Sequence, residues 1–180
     1  NHAYVCLTAP HLESINSKGV TAVSGTNGEI TPADIDRAVE AAKAISLPAN
    51  KEIIHVIPRL FTVDGQEGVI DPVGMNGIRL EVETHLILAS TPALKNLYKC
   101  LVDIGIKVNG LVYSGLSAAK ACLTETETEL GVALVDIGGS NTTLTIFQES
   151  SPIFSGVIPI GANNITNDLA IGLRLPLQDS

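Results

Sequence analysis

The residues of this chain best suited to chemistry are concentrated in Val132-Ala133-Leu134-Val135-Asp136-Ile137-Gly138-Gly139-Ser140-Asn141-Thr142-Thr143-Leu144-Thr145-Ile146-Phe147. An apolar β-rich run delivers a carboxylate to a turn of two glycines and short polar residues, and a second apolar run leads away. Glycine lets a backbone approach a ligand closely, and successive exposed N–H groups in such a turn can surround phosphate oxygens. The candidates are Gly138, Gly139, Ser140, Asn141 and Thr142. Asp136 stands where it could hold Mg²⁺ through water, because that ion keeps several waters in nucleotide sites. An Asp-x-Gly-Gly turn is also ordinary hairpin chemistry, so the residues alone leave both readings open. Gly161 precedes a predicted helix whose first amides could face a phosphate, while Asn163 or Asn164 could equally cap that helix.

Other reactive side chains read as structural. His55 and His85 lie in apolar or alternating runs with no further ligands at metal-binding spacing. Ser114 and Ser117 sit outside any G-x-S-x-G elbow. Glu125, Glu127 and Glu129 read as a solvated face. Glu81 and Glu83 share a face with Arg79, the pattern of surface charge pairing. Cys6, Cys100 and Cys122 are odd in number and widely spaced, which suits neither a disulfide framework nor a zinc site and fits a reducing cytoplasm.

These residues need a scaffold, and the chain carries its signals. Thr31-Pro32-Ala33-Asp34 combines an N-cap, a helix-starting proline and a first-turn acid. A helix is expected from there to Leu47-Pro48, burying Ile35, Val39, Ala42 and Ile45. Two short strands are expected at 52–57 and 60–64, then an exposed glycine-rich loop at 65–77. A strand with one wet face follows over 78–86, where apolar and polar residues alternate. Residues 12–90 thus read as a small α+β unit. Thr91-Pro92 opens a helix with Leu94, Leu97, Leu101 and Ile104 on one side, ending at Gly105. A strand at 108–112 and an alanine-rich helix at 116–123 come next. The acidic stretch 124–129 is expected to be a hinge or boundary. Strands at 132–137, 142–147 and 154–160 and a helix at 164–173 complete the chain.

Composition bounds the function classes. The chain has 180 residues, 45% hydrophobic and 17% charged, enough apolar material for a packed core. Its net charge of −8, without a basic stripe, argues against nucleic acid as a partner. With 3% aromatic residues and no Trp, stacking platforms for bases are not expected. The apolar runs fall far short of the roughly 20 residues of a membrane-spanning helix. The chain opens on Asn1 directly before a strand-like run, Tyr4 to Leu7, and its N-terminus is expected to be cut from something longer.

The turn after Asp136 is similar to the second phosphate loop of the actin, Hsp70 and sugar-kinase superfamily, D-x-G-G-G-T-T-D. Within that superfamily the chain resembles the bacterial cell-division FtsA family. Val63-Asp64-Gly65-Gln66-Glu67-Gly68 and Asp71-Pro72-Val73-Gly74-Met75-Asn76-Gly77-Ile78-Arg79-Leu80-Glu81-Val82 match the pattern V-D-G-Q-x-G-I-x-D-P-x-G-M-S-G-x-R-L-E-V. Gly28 to Thr31, Ile54 to Pro58 and Ile165 to Leu173 match as well, so the resemblance covers almost the entire chain. It implies an α/β, actin-like (ribonuclease H-like) fold with an inserted SHS2-like α+β subdomain. Residues 1–11 and 91–130 would belong to subdomain 1A, 12–90 to subdomain 1C, and 131–180 to the start of subdomain 2A with its phosphate loop. It further implies an ATP- and Mg-binding, filament-forming adaptor at the cytoplasmic face of the membrane. In the family FtsZ binds through a 2B subdomain and the membrane through a C-terminal amphipathic helix, both expected outside this chain. Subdomain 1C serves other division proteins and neighbouring protomers. Where the pattern has G-T-T-D, this chain has Ser140-Asn141-Thr142-Thr143, and only Gly161 remains of a usual adjacent glycine pair. At most weak ATP hydrolysis is expected, and poor ATP binding by these residues alone. The alternatives within the superfamily are a sugar kinase or chaperone-like enzyme, or a pilus-assembly adaptor.

Overall fold

A computed structural model describes residues 2–174 and Pro176; the remaining positions of the 131–180 segment, and Asn1, lie outside the described residues. Three sheets share the strands. β1 (His2–Leu7) pairs in parallel with β6 (Lys107–Tyr113), the two flanking a long excursion of the chain. That excursion forms its own antiparallel sheet in the order β2 (Glu13–Ala22), β5 (Arg79–Ser90), β3 (Lys51–Val63), β4 (Gln66–Val69). A third antiparallel sheet follows: β7 (Val132–Ile137), β8 (Thr142–Gln148), β9 (Ser151–Ile158).

The helix α1 (Pro32–Lys43) starts where Thr31-Pro32 predicts, and Asp34 closes a capping box with Thr31. It ends at Lys43, short of Leu47-Pro48. Its fully buried positions are Asp34, Ala38 and Ala42, with Ile35 and Val39 packed at their margin. Small residues dominate the contact because α1 lies directly on β2. A Cβ on Gly19 would stand 1.9 Å from the Ala38 carbonyl oxygen, so only glycine admits this approach. Under α1, Ile30, Phe61, Val63, Leu80 and Val82 complete one core. Burying each such large side chain contributes about 1.5–3 kcal/mol.

Several local expectations are corrected. The two short strands become one, β3, with irregular pairing between Pro58 and Phe61. The glycine-rich loop contains β4, a short edge strand. The polar run Glu13–Ala22 is itself a strand, β2, at the sheet edge. The α2 helix (Thr91–Asp103) buries Leu94, while Ile104 is exposed just beyond it. The α3 helix spans Ser114–Cys122. The stretch read as a hinge or boundary folds as a capped helix, α4 (Glu125–Leu130): Glu127 accepts from the Thr124 backbone N–H and hydroxyl, both at 2.8 Å. β9 begins at Ser151 and α5 (Ala162–Leu173) two residues before its predicted start.

The alternation of β5 also has a limit. Leu80, Val82 and Thr84 are buried as expected, but burial becomes continuous from Thr84 to Ala89. The opposite face, wet at Arg79, meets other elements further on: Ile87 and Ala89 join Leu12, Leu94 and Tyr113 in a second core. β5 therefore belongs to two cores at once, one on each face. Among the described residues no helix is long and apolar enough to cross a membrane.

Candidate functional site

The β7–β8 turn and the β9–α5 turn are clasped together. Gly138 closes the first turn by donating its N–H to the Asn141 carbonyl at 2.9 Å. Its own carbonyl accepts from the Ala162 N–H at 2.9 Å, and the Gly139 carbonyl accepts from the Asn163 N–H at 2.8 Å. The Thr142 hydroxyl donates to the Ile160 carbonyl at 2.7 Å. Gly161, buried between the turns, leaves no room for a side chain: a Cβ there would stand 2.5 Å from both the Gly138 and Gly139 carbonyl oxygens. Its N–H donates to the Asn164 side-chain oxygen at 3.0 Å, so Gly161 is the N-cap of α5 and Asn164, in the first turn, reaches back to its amide.

This clasp orients the peptide groups. In a trans peptide the C=O of one residue and the N–H of the next point in opposite directions, and no cis bond is present among the described residues. Because the Gly138 and Gly139 carbonyls point into the first turn of α5, the N–H groups of Gly139 and Ser140 point away from it. Neither these nor the Asn141 N–H finds a partner among the described residues. Adjacent outward amides on an exposed turn are the elements of an anion nest.

Asp136 pairs in register with Thr143 at the mouth of the turn, and its exposed carboxylate accepts no hydrogen bond among the described residues. The structure thus brings Gly138, Gly139, Thr142 and Gly161 into one clasp, with Ser140 and Asn141 at its tip and Asp136 beside it. The α5 amides expected to meet a phosphate are divided. Those of Ala162 and Asn163 hold the turn, and that of Gly161 is bonded to Asn164.

Behind the turn, Tyr113 at the end of β6 is fully buried and joins all three sheets. Its N–H donates to His55 Nε2 on β3 at 2.9 Å, and its hydroxyl donates to the Gly156 carbonyl on β9 at 3.0 Å. Burial, with a smaller contribution from the Asp136 charge, pushes its phenol above the usual range. A second joint is His85 on β5: Nδ1 meets Asn16 Oδ1 at 2.6 Å and Nε2 meets Ser155 Oγ at 3.0 Å. Asn16 also donates to the Ile153 carbonyl, and Ser14 accepts the Ser155 N–H. Sequence reasoning did not single out Ser14, Asn16 or Ser155, because nothing local to these residues shows the distant partners they meet across the seam.

The family model described as the SHS2 domain inserted in FtsA matches residues 9–88, and the model for cell division protein FtsA matches residues 133–180. The chain belongs to the FtsA family. It is 40% identical to the cell division protein FtsA of Pseudomonas aeruginosa over 98% of this chain and 42% of that protein. It is 41% identical to FtsA of Bacillus subtilis over 99% of this chain and 40% of that protein. The chain therefore spans less than half the length of the curated FtsA proteins it matches. Among solved structures, one titled as a PilM–PilN type IV pilus biogenesis complex superposes with a TM-score of 0.61 at 17% identity, covering 99% of this chain and 48% of that one. That likeness is one of fold. The FtsA-type SHS2 match falls on the β2–β5 sheet with α1, an α+β unit inserted into an α/β, actin-like fold.

Proposed function

We propose that this chain forms part of an actin-like cell-division adaptor that binds ATP with Mg²⁺, polymerises, and tethers the FtsZ ring to the cytoplasmic membrane. The observation that carries the nucleotide part is the pair of outward, unpartnered amides at Gly139 and Ser140, held in place by the α5 clasp in a member of the FtsA family. Ser140 and Asn141 fit the same role, with two polar side chains on an exposed turn and an Asn141 N–H that has no partner among the described residues, while Thr142 supports the turn through its hydroxyl bond to the Ile160 carbonyl. In this reading Gly138 and Gly161 shape the turn, and they contribute to the nucleotide site by letting its backbone lie close to α5. Asp136 fits a water-mediated Mg²⁺ contact, because its carboxylate is exposed and uncommitted. Mg²⁺ would neutralise phosphate charge there.

The β1–β6 pair with α2, α3 and α4 would be subdomain 1A, the β2–β5 unit subdomain 1C, and the sheet from β7 onward the start of subdomain 2A. Replacement of the third glycine by Ser140 and of the closing aspartate by Thr143 favours an adaptor that binds nucleotide over one that turns it over rapidly. Calorimetry of ATP–Mg²⁺ binding and co-sedimentation with FtsZ filaments, made on the complete gene product, test the proposal. Saturable binding in both is the expected result, and absence of both defeats it.

A further inference from the structure

We infer that the hollow between α3, α4 and β8 is a docking groove for a basic, amphipathic helical segment of a partner protein, an inference independent of the nucleotide site. The hollow encloses about 450 Å³, with Leu116, Ala119, Leu123 and Phe147 as its floor and Glu125 and Glu129 on its rim. The three glutamates of 124–130 are spaced by two residues, which in a strand would place them on one face. In the helix that forms, Glu125 and Glu129 lie one turn apart on the same face, and both line the groove. Glu127 is turned away into the cap of α4. Like charges at this spacing repel and weaken a helix, a cost that a cation seated between them would reverse.

Charge decides the occupant. A neighbouring hollow of about 320 Å³ shares Glu129 and Ser150 with the groove and adds Glu149. Its own cation, Arg59, is committed to Glu83 at 2.5 Å. Among the described residues that line the groove, only Lys120 opposes the carboxylates. An apolar floor with an acidic rim fits a helix that offers leucine-like anchors at i, i+3, i+4 and i+7 and Lys or Arg along its flanks.

The test uses fluorescence anisotropy on the full-length protein with three labelled peptides of about 18 residues: a Leu/Lys amphipathic helix, a scrambled peptide of the same composition, and a Leu/Glu amphipathic helix. The Leu/Lys helix should bind saturably, about tenfold or more tighter than either control. The double variant Glu125→Lys/Glu129→Lys should weaken it by about tenfold, and Leu123→Lys should weaken it as well. Should Leu123→Lys unfold the protein by circular dichroism, the rim variant, whose side chains are exposed, decides. Equal binding of the scrambled peptide, unchanged binding by the rim variant, or no binding because the groove is filled by another segment or a second copy, would overturn the inference.

Discussion

The backbone N–H of Tyr113 donates to Nε2 of His55 across 2.9 Å, tying the end of β6 to the middle of β3. For Nε2 to accept, the imidazole must be neutral with its proton on Nδ1. Burial holds the His55 pKa below its ordinary value, which keeps the ring in that form. Replacing His55 by Leu leaves a buried N–H unpaired and should cost about 1–3 kcal/mol, whereas His55→Gln, which retains an acceptor, should recover part of it. Tyr113→Phe, which removes the hydroxyl bond to Gly156, should cost about 1 kcal/mol. Urea midpoints at constant m-value measure all three.

His85 makes a pH-dependent prediction. Burial, helped by the nearby Arg59 charge, lowers its pKa from 6.5 to about 4. The unfolded chain therefore takes up the proton first. Stability contributed by the neutral ring is complete above pH 6.5 and is lost progressively as pH falls toward about 4. His55 is shifted in the same direction, so His85→Gln should remove part of this slope and leave the rest. Denaturation curves taken between neutral pH and about 4.5 would show it, and an unchanged slope in His85→Gln would exclude the buried neutral form.

Asp34 should behave in the opposite sense. Its carboxylate accepts from the Thr31 hydroxyl at 2.6 Å, the Thr31 N–H at 2.8 Å and the Ser24 N–H at 3.0 Å, and it pairs with Arg37. These bonds, those of Thr31 foremost, hold its pKa well below the usual carboxylate range. Its contribution is present throughout neutral and mildly acidic pH and is lost only in strong acid. Asp34→Asn places a donor amide where these donors converge, so the first turn of α1 should fray. Faster hydrogen exchange across Ile35 to Ala38, with little change in α2, is the expected outcome.

What the sequence disclosed was set by how local each signal is. Thr31-Pro32-Ala33-Asp34 starts a helix through contacts within four residues, and the β7 and β8 runs declare themselves by apolar content. Thr124-x-x-Glu127 was an equally local capping signature, and the charge around it obscured the helix. β2 escaped because its pattern is that of an edge strand, polar outward, with Gly19 facing α1 where a large apolar residue would be sought. His85 read as wet because alternation reports which residues share a face of a strand, and cannot report that another sheet covers that face. At the candidate site the turn was legible from Gly138 and Gly139. Gly161 drew notice as a residue before a helix and as the remainder of the family's glycine pair, but its packing role depends on two distant carbonyls that meet it in the folded chain.

Gly161 therefore separates the shape of the turn from its chemistry. Its backbone is extended, with φ of −148°, so alanine suits the conformation and only space forbids it. Gly161→Ala must push the Gly138 and Gly139 carbonyls off the α5 amides, with an expected loss of about 1–3 kcal/mol, the range for overpacking. The Gly139 and Ser140 amides then lose their fixed direction. In the full-length protein, ATP–Mg²⁺ affinity should drop by about tenfold or more, as when charge-assisted hydrogen bonds are misplaced. Asp136→Asn leaves the clasp intact and should weaken the Mg²⁺ dependence of binding while sparing the thermal midpoint. If Gly161→Ala destabilises the fold yet leaves nucleotide affinity unchanged, the turn is a structural hairpin and the phosphate site lies elsewhere.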